Sequence, residues 1–223
     1  MIHFTKAVSK IFNLIKDLIF TVHCPYCGKV IDRNKNACNN CNNKFPEVPV
    51  VRYAAGGYIC VSPFPYSDIF RKAVIDFKFH NCSVYAIRFA PEMVRVIKQM
   101  YSDKTFDVIT CVPMHKDSLR ERGYNQAELL AQSCAELMGI EYAQLLVKTK
   151  KNKAQHSIKA SERAKNVRGV YSPADKDLIK NKRILIIDDI ITTGNTLGEC
   201  ARILTKYKCG EINCCTLCAS MFG

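Results

Sequence analysis

At 223 residues, 48% of them hydrophobic, the chain has room for one ordinary domain with a packed core and a small appendage, and it excludes large-scale disorder. Its 33 Lys and Arg against 20 Asp and Glu leave a formal net charge of +13, which favours anionic partners: phosphorylated metabolites, nucleic acid or acidic lipid. The 13 cysteines do not read as a secreted disulfide scaffold, which would be smaller and would open on a signal peptide.

Residues 1–22 carry Phe4, Val8, Ile11, Phe12, Ile15 and Ile19 at helical spacing, which predicts an amphipathic lead helix packing on protein. Its apolar run, Ile11 to Val22, is interrupted by Lys16 and Asp17 and is too short to span a bilayer. No cleavage site follows it, so no transmembrane segment is expected and a cytoplasmic location fits. A membrane-surface helix is the alternative.

Residues 23–49 are rich in Cys, Asn and Lys and poor in apolar side chains. Cys24-Pro-Tyr-Cys27 and Cys38-Asn-Asn-Cys41 are two C-x2-C pairs ten residues apart. Four thiolates at that spacing can close a tetrahedral zinc site, leaving no open position, so the expected zinc is structural. A segment without its own core would take folding energy from the metal. Cys-Pro-Tyr-Cys alone is also a redox motif, but that needs a flanking strand and helix, and here Gly28-Lys29 and a second pair follow. Cys215 and Cys218 form a third pair inside a predicted strand. Residues three apart there point to opposite faces, so these two read with the remaining cysteines as small core side chains.

From residue 50 to the end the pattern is mixed α/β. The expected elements are a strand at Tyr58–Val61, a helix at Asp68–Phe79 and a helix beginning at Pro91 in its first turn. A buried strand at Phe106–Val112 is stopped by Pro113, and a helix over Asn125–Met138 ends at Gly139. A buried strand at Arg183–Ile187, a helix at Thr196–Lys208 and a last strand at Ile212–Ala219 complete the pattern. Strands alternating with helices predict a mostly parallel sheet flanked by helices.

The most informative run is Arg183-Ile-Leu-Ile-Ile-Asp-Asp-Ile-Ile-Thr-Thr-Gly-Asn-Thr-Leu197. Four aliphatic residues make a strand buried on both faces. Asp188 and Asp189 follow and offer acceptors for a vicinal diol. Thr192, Thr193, Gly194, Asn195 and Thr196 then form a short hydroxyl-rich loop before a helix, where free backbone N–H groups and a positive dipole end suit a phosphate. The acidic strand of a P-loop ATPase would look similar, but its phosphate loop is missing from this chain. Upstream, Val112-Pro113 leads into a loop with Lys116, Arg120 and Arg122 and then Gly123-Tyr124-Asn125-Gln126, a second candidate anion site. A solvated charged loop is the plainer reading. Residues 148–168 hold eight Lys or Arg and one Glu, which fits a linker or a nucleic-acid contact.

The Asp-Asp and Thr-Thr-Gly-Asn-Thr run resembles the signature of type I phosphoribosyltransferases. That resemblance implies that Asp188 and Asp189 bind ribose, that Thr192 to Thr196 hold the 5-phosphate, and that Mg²⁺ accompanies 5-phosphoribosyl-1-pyrophosphate. The segment Arg120-x-Arg122-Gly-Tyr-Asn-Gln126, with Gln155, Arg163, Asn166 and Tyr171 in order, resembles the ComF family of phosphoribosyltransferase-like proteins, associated with DNA-uptake competence. It implies a pyrophosphate end at Val112, Pro113, Lys116, Arg120 and Arg122, and a mobile loop carrying Gln155 and Arg163. The family often has Arg near Lys148; Lys keeps the charge but not the bidentate fork. The implied activity is displacement of pyrophosphate from the anomeric carbon. A non-catalytic sugar-phosphate sensor, or a DNA-uptake factor contacting single-stranded DNA or competence machinery, stays open beside it.

Overall fold

The computed structural model describes residues 21–150 and 168–221. The expected lead helix, Gln155, Arg163 and most of the basic segment lie outside these residues. A central sheet has the order β3-β4-β10-β9-β6, built from β3 (Val50–Ala54), β4 (Tyr58–Ser62), β6 (Val108–Cys111), β9 (Arg183–Ile191) and β10 (Glu211–Ala219). The short β5 (Phe64–Pro65) continues along β10. The β3–β4 hairpin is antiparallel and every other pairing in this sheet is parallel, as the alternating sequence pattern predicts. Two small antiparallel pairs stand apart: β1 (Val22–His23) with β2 (Val30–Ile31), and β7 (Leu146–Lys148) with β8 (Tyr171–Pro173).

β9 is an interior strand, with Ile184, Leu185, Ile186 and Ile187 fully buried between two parallel neighbours. Helices cover both faces. Cys134 of α5 (Gln126–Met138) lies near Cys215, whereas Cys200 of α6 (Asn195–Lys206) lies near Cys214. Adjacent strand residues point to opposite faces, so α5 and α6 sit on opposite sides of the sheet. The remaining helices are α1 (Asn39–Asn42), α2 (Asp68–Phe79), α3 (Tyr85–Met100) and α4 (Lys116–Arg122).

Three expectations need correction. The helix expected to start at Pro91 starts at Tyr85, so Pro91 is interior. The bond Pro91 cannot donate would have met the carbonyl of Ile87, a residue on the exposed side of the helix. Much of the basic loop after Pro113 is helical, as α4, with the His115 Nδ1 accepting from the Asp117 N–H at its start. Most consequentially, β9 does not stop before the acids. Its ladder with β6 ends at Ile187, where the Val112 N–H makes the last bond and Pro113 can donate none. On its other side β10 continues, pairing Thr216 with Asp188 and Ala219 with Ile191.

The four-cysteine segment docks on this core. Tyr26, between the first two cysteines, is 1% exposed and meets Phe45, Phe64, Phe70 and Phe89 edge-on with centroids 5.0 to 5.8 Å apart. From α3, Arg88 donates to the carbonyls of Arg33 and Lys35, and Arg95 to those of Pro46 and Glu47.

The turn of the β3–β4 hairpin presses on α6. A Cβ on Gly198 would lie 2.3 Å from the Ala55 carbonyl oxygen and 2.6 Å from its Cβ. Gly to Ala inside a helix ordinarily stabilises by about 1 kcal/mol. Here Gly198→Ala is expected to destabilise instead, by about 1–3 kcal/mol of overpacking, read as a lowered urea midpoint at unchanged slope.

Candidate functional site

A cleft of about 660 Å³ opens at the carboxyl ends of β6 and β9. Val112, Pro113, Arg122, Asp188, Asp189 and the whole run Thr192 to Thr196 line it, so two segments about 75 residues apart in sequence share one cavity. Lys116 and Arg120 do not line it; both lie on the exposed side of α4. Gln155 and Arg163 lie outside the described residues.

The loop between β9 and α6 is held from behind. Ala55 N–H donates to the Gly194 carbonyl at 3.1 Å, and Arg52 reaches the carbonyls of Thr192 and Ser220. Gly194 takes φ of +71°, and a Cβ there would sit 2.7 Å from the Ala54 Cα, so both conformation and space require glycine. The Asn195 amide donates to the Thr193 hydroxyl at 3.0 Å. The first bond of α6 is Gly198 N–H to the Gly194 carbonyl, which leaves the preceding N–H groups at the cleft without helical partners.

Asp188 accepts from the Asp189 N–H at 2.8 Å. Burial, and then the neighbouring Asp189 charge, push its carboxyl well above the usual carboxylate range. Asp189 instead has a cation: Lys78 Nζ lies 2.5 Å from its Oδ2. Burial alone would push the Lys78 ammonium down, but Asp189 outweighs it and the net direction is up. Lys148 sits with its Nζ 5.7 Å from the Tyr171 ring centroid, and both residues line the cleft. Burial lowers Lys148, opposed by the charge of Asp188.

Several lining residues were not expected from sequence. Tyr66, Arg71, Lys78 and Phe79 come from α2 and the turn before it, a helix read only as core packing. One signal was present: Lys78 follows the buried Val74 by one turn, a cation on an apolar stripe. Gln126, part of the second candidate anion site in the sequence, is 2% exposed at the start of α5. Its Oε1 accepts from Arg122 at 2.7 Å, while its Nε2 is buried without a partner among the described residues. A ligand oxygen is the partner such a donor lacks. Asn125 caps α5 and ties it to the end of β6 through the Val112 carbonyl at 3.1 Å.

Away from the cleft, the sulfurs of Cys24, Cys27, Cys38 and Cys41 all lie within 4.8 Å of one another. Cys24 and Cys41 are buried, and the backbone N–H of Cys41 brings the Cys38 thiol down to about 7. Four converging sulfurs fit a closed tetrahedral metal site.

The phosphoribosyl transferase domain family model matches residues 93–222. Competence protein F of Haemophilus influenzae is 30% identical over 195 residues, covering 85% of this chain and 81% of that protein. The chain is a ComF-family phosphoribosyltransferase-like protein. Competence protein ComFC of Bacillus subtilis is 29% identical over 160 residues, covering 71% of this chain and 63% of its own length. The DNA utilization protein YhgH of Escherichia coli K12 is 24% identical, with 89% and 84% covered. Among solved structures, adenine phosphoribosyltransferase from Thermoanaerobacter pseudethanolicus aligns over 60% of this chain and 81% of its own, at 15% identity and a TM-score of 0.38. Glutamine phosphoribosylpyrophosphate amidotransferase from B. subtilis aligns over 58% of this chain but 25% of its own, at 24% identity and a TM-score of 0.37. No helix among the described residues is long and apolar enough to cross a membrane. The ComF-family match extends upstream of the transferase domain model, and so takes in α2 and its face on the cleft.

Asp188 supports a stability test independent of any ligand. A carboxyl whose folded pKa is raised costs stability when ionised, and the cost is relieved as pH falls through that raised value. Asp188→Asn is therefore expected to raise the urea midpoint at neutral to mildly alkaline pH, with a gain that shrinks on acidification.

Proposed function

We propose that the cleft binds 5-phosphoribosyl-1-pyrophosphate and displaces its pyrophosphate in favour of an acceptor nucleophile. The observation that carries this is the convergence of the acidic pair, the Thr192–Thr196 loop and the Val112–Gln126 segment on one cavity. Asp188 and Asp189 accept from the ribose hydroxyls. Thr192, Thr193, Gly194, Asn195 and Thr196 cradle the 5-phosphate with hydroxyls and the free N–H groups of the α6 start. Val112, Pro113 and Arg122 face the pyrophosphate end, with the unpaired Gln126 amide as a further donor. Lys116 and Arg120 reach that end only if α4 turns inward, and Gln155 and Arg163 belong to the closing segment the family resemblance implies.

Catalysis on this reading is positioning and electrostatics. The phosphate is the anchor, and fixed donors and cations stabilise the charge developing on the leaving pyrophosphate. On the protein side, Lys78 already engages Asp189 Oδ2, a position magnesium would otherwise share. The metal fits the ligand better, on phosphate oxygens. The names of the relatives favour a role in competence or DNA use, as enzyme or as sensor. The four-cysteine cluster holds one structural zinc.

Two measurements test this. Calorimetric titration with the full ligand is expected to show Asp189→Asn weakened about tenfold to a hundredfold, the loss of one charged hydrogen bond. Thr193→Val is expected to weaken ribose 5-phosphate and the full ligand alike. Absence of saturable wild-type binding at millimolar ligand sinks the reading. For the metal, elemental analysis is expected to find one zinc per chain, released by Cys38→Ser; full occupancy in a variant lacking Cys38 and Cys41 contradicts the site.

A further inference from the structure

Lys78 reaches the acidic pair from α2, outside both segments that the family signature assigns to the ligand. It stands in the last turn of the helix, one residue past the fully buried Phe77. Its Nζ is 2.5 Å from Asp189 Oδ2, and the two side chains are 22% and 12% exposed. None of the other cations lining the cleft among the described residues forms an ion pair with Asp189: Arg71 lies 6.0 Å over the Tyr66 ring. Arg122 donates to Gln126 and stacks 5.0 Å over the Phe79 ring, and Lys148 lies against Tyr171. Asp76, one turn before His80, takes up both Lys72 and His80, so it does not compete for Lys78.

Two adjacent carboxylates at a buried strand end repel, and one of them would take a proton without a counter-charge. A protein-bound divalent metal is one solution; here an ammonium already occupies Asp189 Oδ2. We propose that Lys78 is the resident counter-cation of the acidic pair. It pairs with Oδ2 and orients the Asp189 carboxylate, with Oδ1 left to accept a ribose hydroxyl, so the sugar half of the ligand is bound without a metal ion.

This rests on the sugar-phosphate reading above, and the test separates the two. Ribose 5-phosphate carries the diol and the phosphate but no pyrophosphate to bring magnesium with it. Wild-type protein titrated with it calorimetrically, with Mg²⁺ present or simply omitted so that any zinc stays bound, is expected to give the same affinity within about twofold. Lys78→Met keeps most of the apolar stem and is expected to lose about tenfold or more, the scale of one charged hydrogen bond. Added Mg²⁺ is expected to restore part of that loss, and Lys78→Arg to retain most of the affinity. A wild type that needs Mg²⁺ for ribose 5-phosphate overturns the proposal without any variant having to fold. So does unchanged binding by Lys78→Met, or a loss that Mg²⁺ does not touch, which marks a packing role. Failure of the wild type to bind ribose 5-phosphate at all overturns the sugar-phosphate reading itself.

Discussion

The site depends on an inequality in hydrogen bonding along β9. Up to Ile187 the strand is paired on both sides; beyond it, only β10 continues. Pro113 enforces the break, because the chain after β6 has no N–H to offer there and turns away toward α4. Asp188 and Asp189 are thus held as rigidly as strand residues on one side and face an opening on the other. Acids in a free loop would be solvated and mobile. Acids in the middle of the sheet would be inaccessible.

That half-open position creates an electrostatic problem, which the two acids meet differently. Asp188 is left to burial and leans toward its neutral form, accepting from the backbone of its neighbour. Asp189 is matched by Lys78. Removing one member of such a buried pair leaves a charge with no counterpart, which typically costs more than the intact pair contributes.

Behind the site the structure is stiff. The β3–β4 turn packs on Gly194 and Gly198 without room for a methyl group, and Arg52 clasps the loop through backbone carbonyls. This fixes the N–H groups at the start of α6, and a preorganised donor set loses little on meeting an anion. The cysteine module adds support at a distance: Tyr26 inserts into an aromatic cluster with Phe64, Phe70 and Phe89, so the cluster and the main core are one packed body.

The fold class, the acidic strand, its hydroxyl loop and the four cysteines were legible in the sequence because each is a local pattern. An aliphatic run followed by Asp188-Asp189, a Gly194 before a helix, and paired C-x2-C spacings declare themselves within a few residues. What only the tertiary structure decided is which distant groups reach that pattern. In the sequence Lys78 stands unremarked within its helix, Pro91 reads as a first-turn residue, and Gln126 belongs to a candidate anion segment that does not say which groups it meets. Their roles come from the packing of α2, α3 and α5 on the sheet. Helical periodicity tells which side of a helix is buried, but not what waits across the cavity, because that contact is made by chain more than 100 residues away.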